Sequence, residues 1–386
     1  MYRVLLTATV AALLLTAPVA PARAGEIRAS LDDGLEYRVA KRRHLRLGGR
    51  LHADSTFVED DVTPIDDASE LRRFRAILRG RFDDWRLRAD YDFGLIEGWR
   101  GLYVQYRGLR RTRITLGQQV APFSLDDLMS SNDLTFLERS LGSALSPGML
   151  PGVSYQTWGD RWNATVGVFG NELNDQDRRQ GDGTSYIGRF VYTPVRSRDA
   201  VLHLGIAQEL RTIDGGSDVR LRTRPESRLA DARLLSTPRL SGVDDLSTTG
   251  LEFMAIRRNL RLQSEYLRTA LEGDGFDTAF TGGYVQLSAV LTGERYRYSG
   301  SGAYATAPRP RSRTGAIEAA LRYSTLDLEE DGITGGVQEQ VTGSLSWYVN
   351  RQLRITANYS RFETDPNSSG IDEQGSIVSL RFQATL

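Results

Sequence analysis

From about residue 45 to its last residue the chain alternates apolar and polar side chains with period two, in one segment after another. Leu353, Ile355, Ala357 and Tyr359 alternate with Arg354, Thr356, Asn358 and Ser360. Val378, Leu380, Phe382, Ala384 and Leu386 oppose Ser379, Arg381, Gln383 and Thr385. Trp85, Leu87, Ala89, Tyr91 and Phe93 oppose Arg86, Arg88, Asp90 and Asp92. Successive residues of a strand point to opposite sides of the sheet, so each segment is a strand with one apolar and one charged face. A soluble sandwich must hide one of these faces. Its interior has no place for so many guanidinium and carboxylate groups, and its outside gains nothing from so many Trp, Tyr and Leu. A membrane barrel solves both problems with the apolar face on lipid and the polar face on a wet lumen.

Sixteen such segments are expected, at 45–58, 70–82, 85–94, 99–109, 112–119, 152–158, 161–170, 184–194, 200–212, 248–257, 260–271, 277–292, 315–328, 338–349, 352–363 and 373–386. Short turns such as Asp83-Asp84, Gly159-Asp160, Arg258-Asn259 and Asn350-Arg351 largely alternate with long polar connections at 59–70, 121–150, 171–183, 213–247 and 364–372. That rhythm puts loops at one rim and tight turns at the other. The expected fold class is all-β, a 16-stranded antiparallel transmembrane barrel. The stretch 293–314 fits poorly: it falls where a short turn belongs, yet it is long and carries Arg295, Arg297, Arg309, Arg311 and Arg313.

Residues 1–24 read as a secretory signal peptide, with Arg3 ahead of the apolar run Val4–Ala17 and Ala22-Arg23-Ala24 at the cleavage position. The apolar run is shorter than the roughly 20 residues of a spanning helix. Residues 25–44 form a short lead segment, and 45–386 the barrel. The whole chain carries 49 basic and 49 acidic residues; without Arg3 and Arg23 the balance is 47 to 49. A nucleic-acid binder would show a clear basic excess. Cysteine is absent and only His44, His52 and His203 are present, so no metal or cofactor site is expected. No catalytic motif is found either. Asp90 and Asp92, two carboxylates on one face, keep open an alternative: a secreted or surface β-protein that binds or cleaves polysaccharide.

The inward face of the early strands is a wall of guanidinium groups. Arg73, Arg75, Arg79 and Arg81 alternate with Phe74, Ala76, Leu78, Gly80 and Phe82; Arg86, Arg88, Asp90 and Asp92 follow, with Arg46, Arg50 and His52 before them and Arg113 after. Side chains on one face lie about 7 Å apart along a strand. Arginine offers planar, forked donors suited to oxyanions, so this wall is the expected anion path. Arg–Asp pairs that simply lock the wall are the competing reading.

Several stretches, RRFRAILRGRFDDWRLRADYDF (72–93), APFSLDDLMSSNDLTFLERSL (121–141), VQLSAVLTGERYRY (285–298), IEAALRYSTLDL (317–328) and GSLSWYVNRQLRITANYSRFETD (343–365), resemble the phosphate-selective porin O and P family. The resemblance covers about 45 to 386. It implies an outer-membrane barrel with lipid as its surroundings, a homotrimer, an inward-folded third loop that narrows the pore, and passive conduction of small anions such as phosphate or polyphosphate. It also implies constriction residues in that loop: Asp126, Asp127, Ser130, Ser131 and Arg139. In the members most selective for phosphate a lysine precedes the serine pair; Asp127 stands at that position here. The lysine Lys41 lies ahead of the first strand and is the only one in the chain. The expected selectivity is therefore modest, anion-preferring, with small oxyanions passing but not tightly held.

Overall fold

The computed structural model describes residues 25–30, 34–173, 179–274, 276–330 and 332–386. The proposed signal segment 1–24 lies outside them. Every expected segment forms a strand: β1 Arg43–Asp60, β2 Ala68–Phe82, β3 Trp85–Asp92, β4 Gly98–Tyr106, β5 Thr112–Val120, β6 Met149–Trp158, β7 Trp162–Phe169 and β8 Gly183–Arg196. They continue as β9 Ala200–Ile213, β10 Val243–Arg257, β11 Leu260–Gly273, β12 Phe276–Val290, β13 Ala316–Glu330, β14 Ile333–Tyr348, β15 Leu353–Thr364 and β16 Glu373–Thr385. Each pairs antiparallel with the next, and β16 returns to β1 from Gly375↔Asp60 to Thr385↔Arg50. The 16-stranded barrel is closed, so no edge is left to face lipid with unpaired backbone groups.

The seam has one further device. Leu386 exchanges backbone hydrogen bonds with Gly49, and below that point the edge of β1 turned away from β2 has no β16 residue to pair with. A hairpin of Glu26–Ser30 and Gly34–Ala40 takes its place, pairing Leu35↔Leu47 through Arg38↔His44. Lys41 stands exposed in the tight turn that joins this hairpin to β1.

Parity behaves as the alternation requires. Leu116, Val153, Val166, Ile206, Leu251, Leu287, Leu321, Leu345 and Leu380 are exposed on the outside, while Asp54, Thr269, Gln286, Ser346 and Arg381 are buried on the inside. Aromatic residues gather near both rims, with Trp85 on Tyr106 at 5.0 Å and Tyr91 on Trp99 at 5.1 Å, as interfacial girdles do. Among the bulges that break the alternation, two bear on the passage. β1–β2 slips between His52 and Ala53, and β3–β4 between Asp90 and Tyr91. Each adds a residue to the inner face: Arg72 is buried beside Arg73, and Arg100 beside Gly101. A bulge lets two consecutive side chains point the same way.

The lumen is not uniformly polar. At the loop rim an apolar core fills the side bounded by β8–β16. Leu267, Leu271, Phe280, Leu326, Leu328 and Phe362 of the wall meet Leu141 and Leu145 of the third loop and Leu221, Leu234 and Leu235 of the fifth. A second core near the turn rim gathers Leu125, Val201, Met254, Val290, Tyr296, Ala305 and Tyr348. It contains the segment that fitted poorly in sequence. Residues 291–315 fold inward as a hairpin, pairing Arg297↔Thr306 to Ser299↔Tyr304.

Leu251 lies mid-strand on the lipid face of β10. Leu251→Arg is expected to destabilise the folded barrel by about 2–4 kcal/mol, the cost of a cation at the bilayer midplane. Gln105→Arg, on the inner face of β4 where it borders the open passage, should not carry that penalty. Urea midpoints in lipid vesicles compare the two; equal losses would contradict the assigned faces.

Candidate functional site, an arginine-lined passage

The third loop, 121–148, crosses the lumen and is held there by the far wall. It opens with a single helical turn, α1 (Leu125–Leu128), whose Ser124 Oγ accepts from the Asp127 N–H. The Glu265 carboxylate of β11 completes this cap, accepting from Leu125 N at 2.7 Å, Asp126 N at 2.8 Å and the Tyr284 hydroxyl at 2.8 Å. A carboxylate suits the exposed N–H groups of a helix start. Further along, arginines of the wall donate to loop carbonyls. Arg354 reaches Leu134 O at 2.6 Å and Thr135 O at 3.1 Å; Arg381 reaches Leu137 O at 2.6 Å; Arg322 reaches Glu138 O at 3.2 Å. Glu138 accepts Arg72 at 2.7 Å and Arg381 at 3.2 Å. Burial opposes its ionised form, but the guanidinium groups of Arg72, Arg381 and Arg73 outweigh that and hold the carboxyl well below the usual range.

Because both apolar cores lie toward β8–β16, the open passage of about 430 Å³ runs against β1–β7. Twelve arginines and four carboxylates (Asp90, Asp127, Glu138 and Glu226) line it, so the sign of the field is positive. The structure divides the expected wall residues. Arg50, Arg73, Arg75, Arg88, Asp90 and Arg113 border the passage. Arg50 donates to Ser131 Oγ at 2.5 Å and Ser130 Oγ at 3.4 Å, so the serine pair meets the wall here. Asp90 is bound by Arg88 at 2.6 Å, and Asp92 accepts Arg75 at 2.8 Å together with the backbone N–H groups of Phe74 and Gly94. Asp92 therefore serves the wall. Arg46, Arg79, Arg81 and Arg86 do not border the passage; Arg46 pairs with Glu36 at 3.1 Å, and Arg86 donates to the carbonyls of Asp83 and Trp85 in the first turn.

The loop residues also separate. Ser130, Ser131, Asp127 and Arg139 face the passage, but Arg139 pairs with Asp127 at 2.8 Å and donates to the carbonyls of Asp126, Asp127 and Met129. Its charge is committed to the loop. Asp126 turns inward and accepts from Ser140 N at 3.0 Å. Asp127 and Asp126 are thus both engaged within the loop. Asn132 bridges His52 and Thr385.

Sequence parity missed several passage residues. Arg72 and Arg100 enter through bulges. Arg222, Arg224 and Arg228 come from the fifth loop, which folds into the mouth and is anchored by Glu226 on Arg322, Ser324 and Thr342. Gly302 and Tyr304 come from the inward hairpin. Its tip is held by Arg113 on Ser301 O, Arg189 on Ala303 O and Tyr298 on His203. No local pattern announces a loop that turns inward.

With this geometry, the comparison with known proteins is direct. The model of the family "Phosphate-selective porin O and P" matches residues 45–386. The chain belongs to this family. Porin O of Pseudomonas aeruginosa is 27% identical over 390 residues, covering 87% of this chain and 87% of that protein. An uncharacterized protein of Caulobacter vibrioides is 31% identical over 261 residues, covering 64% of this chain and 52% of its own length. Among solved structures, the anion-selective porin from Comamonas acidovorans superposes with a TM-score of 0.57 at 15% identity, covering 89% of this chain and 99% of that one. OmpT of Vibrio cholerae superposes at 0.56 with 12% identity, covering 90% and 98%. At these identities the structures share the fold. The protein is a bacterial outer-membrane barrel of the porin kind.

Within the family frame, the seating of the third loop depends on one close approach. A Cβ on Gly142 would stand 2.8 Å from Gly283 N and 3.0 Å from Gly283 Cα. Gly142→Val therefore lifts the loop off β12 toward the passage, at about 1–3 kcal/mol for an overpacked contact. Single-channel recordings should show a lower and noisier conductance; wild-type conductance would contradict this seating.

Proposed function

We propose that this protein is a water-filled, anion-preferring channel for passive diffusion across the outer membrane, with phosphate and related small oxyanions among its permeants. The observation that carries this reading is the lining of the passage, twelve arginines against four carboxylates, on the one side of the lumen that the loops leave open. One such charge attracts an anion at 4 Å by roughly 1 kcal/mol at water-like dielectric and about 4 kcal/mol at an intermediate one. A series of weak steps suits transport, since a tight site would trap the ion. The anion path we propose runs past Arg222, Arg224 and Arg228 of the fifth loop, Arg72, Arg75 and Arg100 of the wall, then Arg50 with Ser130 and Ser131, and leaves by Arg88, Arg113 and Tyr304. The loop rim faces outward, the turn rim faces the periplasm, and residues 1–24 direct export and are removed in a Gram-negative cell.

The polysaccharide alternative finds little support. Asp90 and Asp92 are both engaged by arginines, leaving neither as a free acid or base. In the proposed role the chain does no bond chemistry.

Reversal potentials across a KCl gradient test the selectivity. Anion preference is expected, and cation preference overturns the reading. Arg100→Glu reverses a charge at the passage and should lower the anion-to-cation permeability ratio by about five-fold, the equivalent of roughly 1 kcal/mol.

The family also leads us to propose a homotrimer with one pore per protomer. Native mass should be three times that of the protomer, with conductance steps in threes. A stable monomer would refute it.

A further inference from the structure

The wall of the passage changes chemistry across β4. Before it come the arginines. From the end of β4 to β7 the lining is of uncharged amides and hydroxyls, Arg113 apart: Gln105, Thr115, Gln119, Ser154, Gln156 and Thr165 all border the passage. Register sets them in tiers. Gln105 stands opposite Thr115, and Thr115 opposite Ser154. One step toward the turn rim, Arg113 stands opposite Gln156, Gln156 opposite Thr165, and Thr165 opposite Arg189. The cations at the two ends of this tier are engaged elsewhere. Arg113 directs a donor to Ser301 O, and Arg189 pairs with Glu252 at 2.7 Å.

Some of the strip's polar groups satisfy one another. Gln105 Nε2 donates to Thr115 Oγ1 at 2.9 Å, Ser154 Oγ to Gln119 Oε1 at 2.7 Å, and Gln156 Nε2 to Asn163 Oδ1 at 2.9 Å. Among the described residues nothing takes up the Oε1 atoms of Gln105 and Gln156 or the hydroxyl protons of Thr115 and Thr165. Arginine only donates and a fully ionised oxyanion only accepts, so an arginine wall alone completes an anion's hydrogen bonds. A hydroxyl-bearing solute both donates and accepts. When it sheds water in a narrow passage each polar group left unpaired is costly, and acceptors are what arginines lack. Neighbouring strands hold the strip's groups about 4.8 Å apart, on the scale of hydroxyls two or three carbons apart in a polyol. The rings of Tyr103 and Tyr304 and the side chains of Val120 and Met149 border the same passage. They offer apolar surface to the C–H faces of such a molecule.

We propose that the β4–β7 strip is a second track in the same channel, carrying small uncharged polyhydroxylated solutes such as short-chain polyols. The arginine wall conducts anions by attraction. The strip conducts these solutes by exchanging their water for matched donors and acceptors. This track rests on the water-filled channel assigned above and is independent of its anion preference.

The test uses the full-length porin in phosphatidylcholine vesicles loaded with dextran and diluted into isotonic erythritol. Light scattering reports the swelling rate, normalised to the chloride conductance of the same preparation. Wild-type vesicles should swell faster than protein-free ones. The double variant Gln105→Leu/Gln156→Leu removes both acceptors at nearly constant volume. It should slow erythritol swelling about five-fold, with chloride conductance and the KCl reversal potential unchanged. A passage that only sieves by size would give the variant the wild-type rate. No swelling above protein-free vesicles, or equal rates in variant and wild type, overturns the proposal. If the double variant fails to fold, Thr165→Val, on a different strand, carries the same test. A cation-preferring wild type that still takes up erythritol would refute the selectivity assigned to the passage and leave this track standing. An anion-preferring one impermeable to erythritol would do the reverse.

Discussion

The architecture depends on charged hydrogen bonds from arginine side chains to the backbone of a loop. A loop that crosses a barrel exposes carbonyls and N–H groups far from any strand ladder, and each one left unpaired in a low-dielectric space costs about 1–3 kcal/mol. Here Arg322, Arg354 and Arg381 take the carbonyls of residues 134–138, and Glu265 takes the N–H groups at the helix start. Hydrogen bonds that involve an ionised partner are worth roughly twice the neutral kind. The same guanidinium planes also lie over rings, Arg322 on Phe136 at 4.2 Å and Arg354 on Tyr348 at 4.6 Å. A lysine could supply the charge but neither the fork nor the flat face. Arginines of β13, β15 and β16 thus fix the loop's backbone, while Arg50, Arg72, Arg75, Arg88, Arg100 and Arg113 of β1–β5 border the passage, Arg50 and Arg72 reaching the loop through its side chains.

That division makes the lumen lopsided. Apolar groups of the third and fifth loops and of the inward hairpin pack against one half of the wall, from both rims. The open cavity lies along the other half, where its arginine lining has low-polarity material behind it. Field lines are less screened beside such a surface than in an open bore, so the same arginines act more strongly on a passing ion than their number alone suggests.

Period two made the strands legible, because a barrel wall needs one apolar and one polar face at every pair of residues, and all sixteen strands follow it. That parity puts Arg50, Arg75 and Arg88 on the inner face, where they border the passage. It failed where the backbone departs from it. A bulge at Arg72–Arg73 and another at Arg100–Gly101 turn two neighbours the same way, and nothing in the local residue types marks the slip. Inward-folding segments were legible only as anomalies of length and charge. The segment 293–314 looked too long and too basic for a turn; its burial depends on partners more than a hundred residues away, such as Arg189 with Ala303 and Arg113 with Ser301. The resemblance implies Asp127 and Arg139 for the inward loop; their mutual pairing is a tertiary fact that neither residue reveals alone.

The scarcity of lysine has a practical consequence. Lys41 is exposed in the tight turn ahead of β1, at the turn rim, and every other basic side chain apart from histidine is an arginine. Amine-reactive dyes or quenchers would therefore find one side-chain target on the folded barrel, at its turn-rim end. An impermeant reagent applied to one face of a reconstituted membrane would then report which way each barrel points, with no engineered residue.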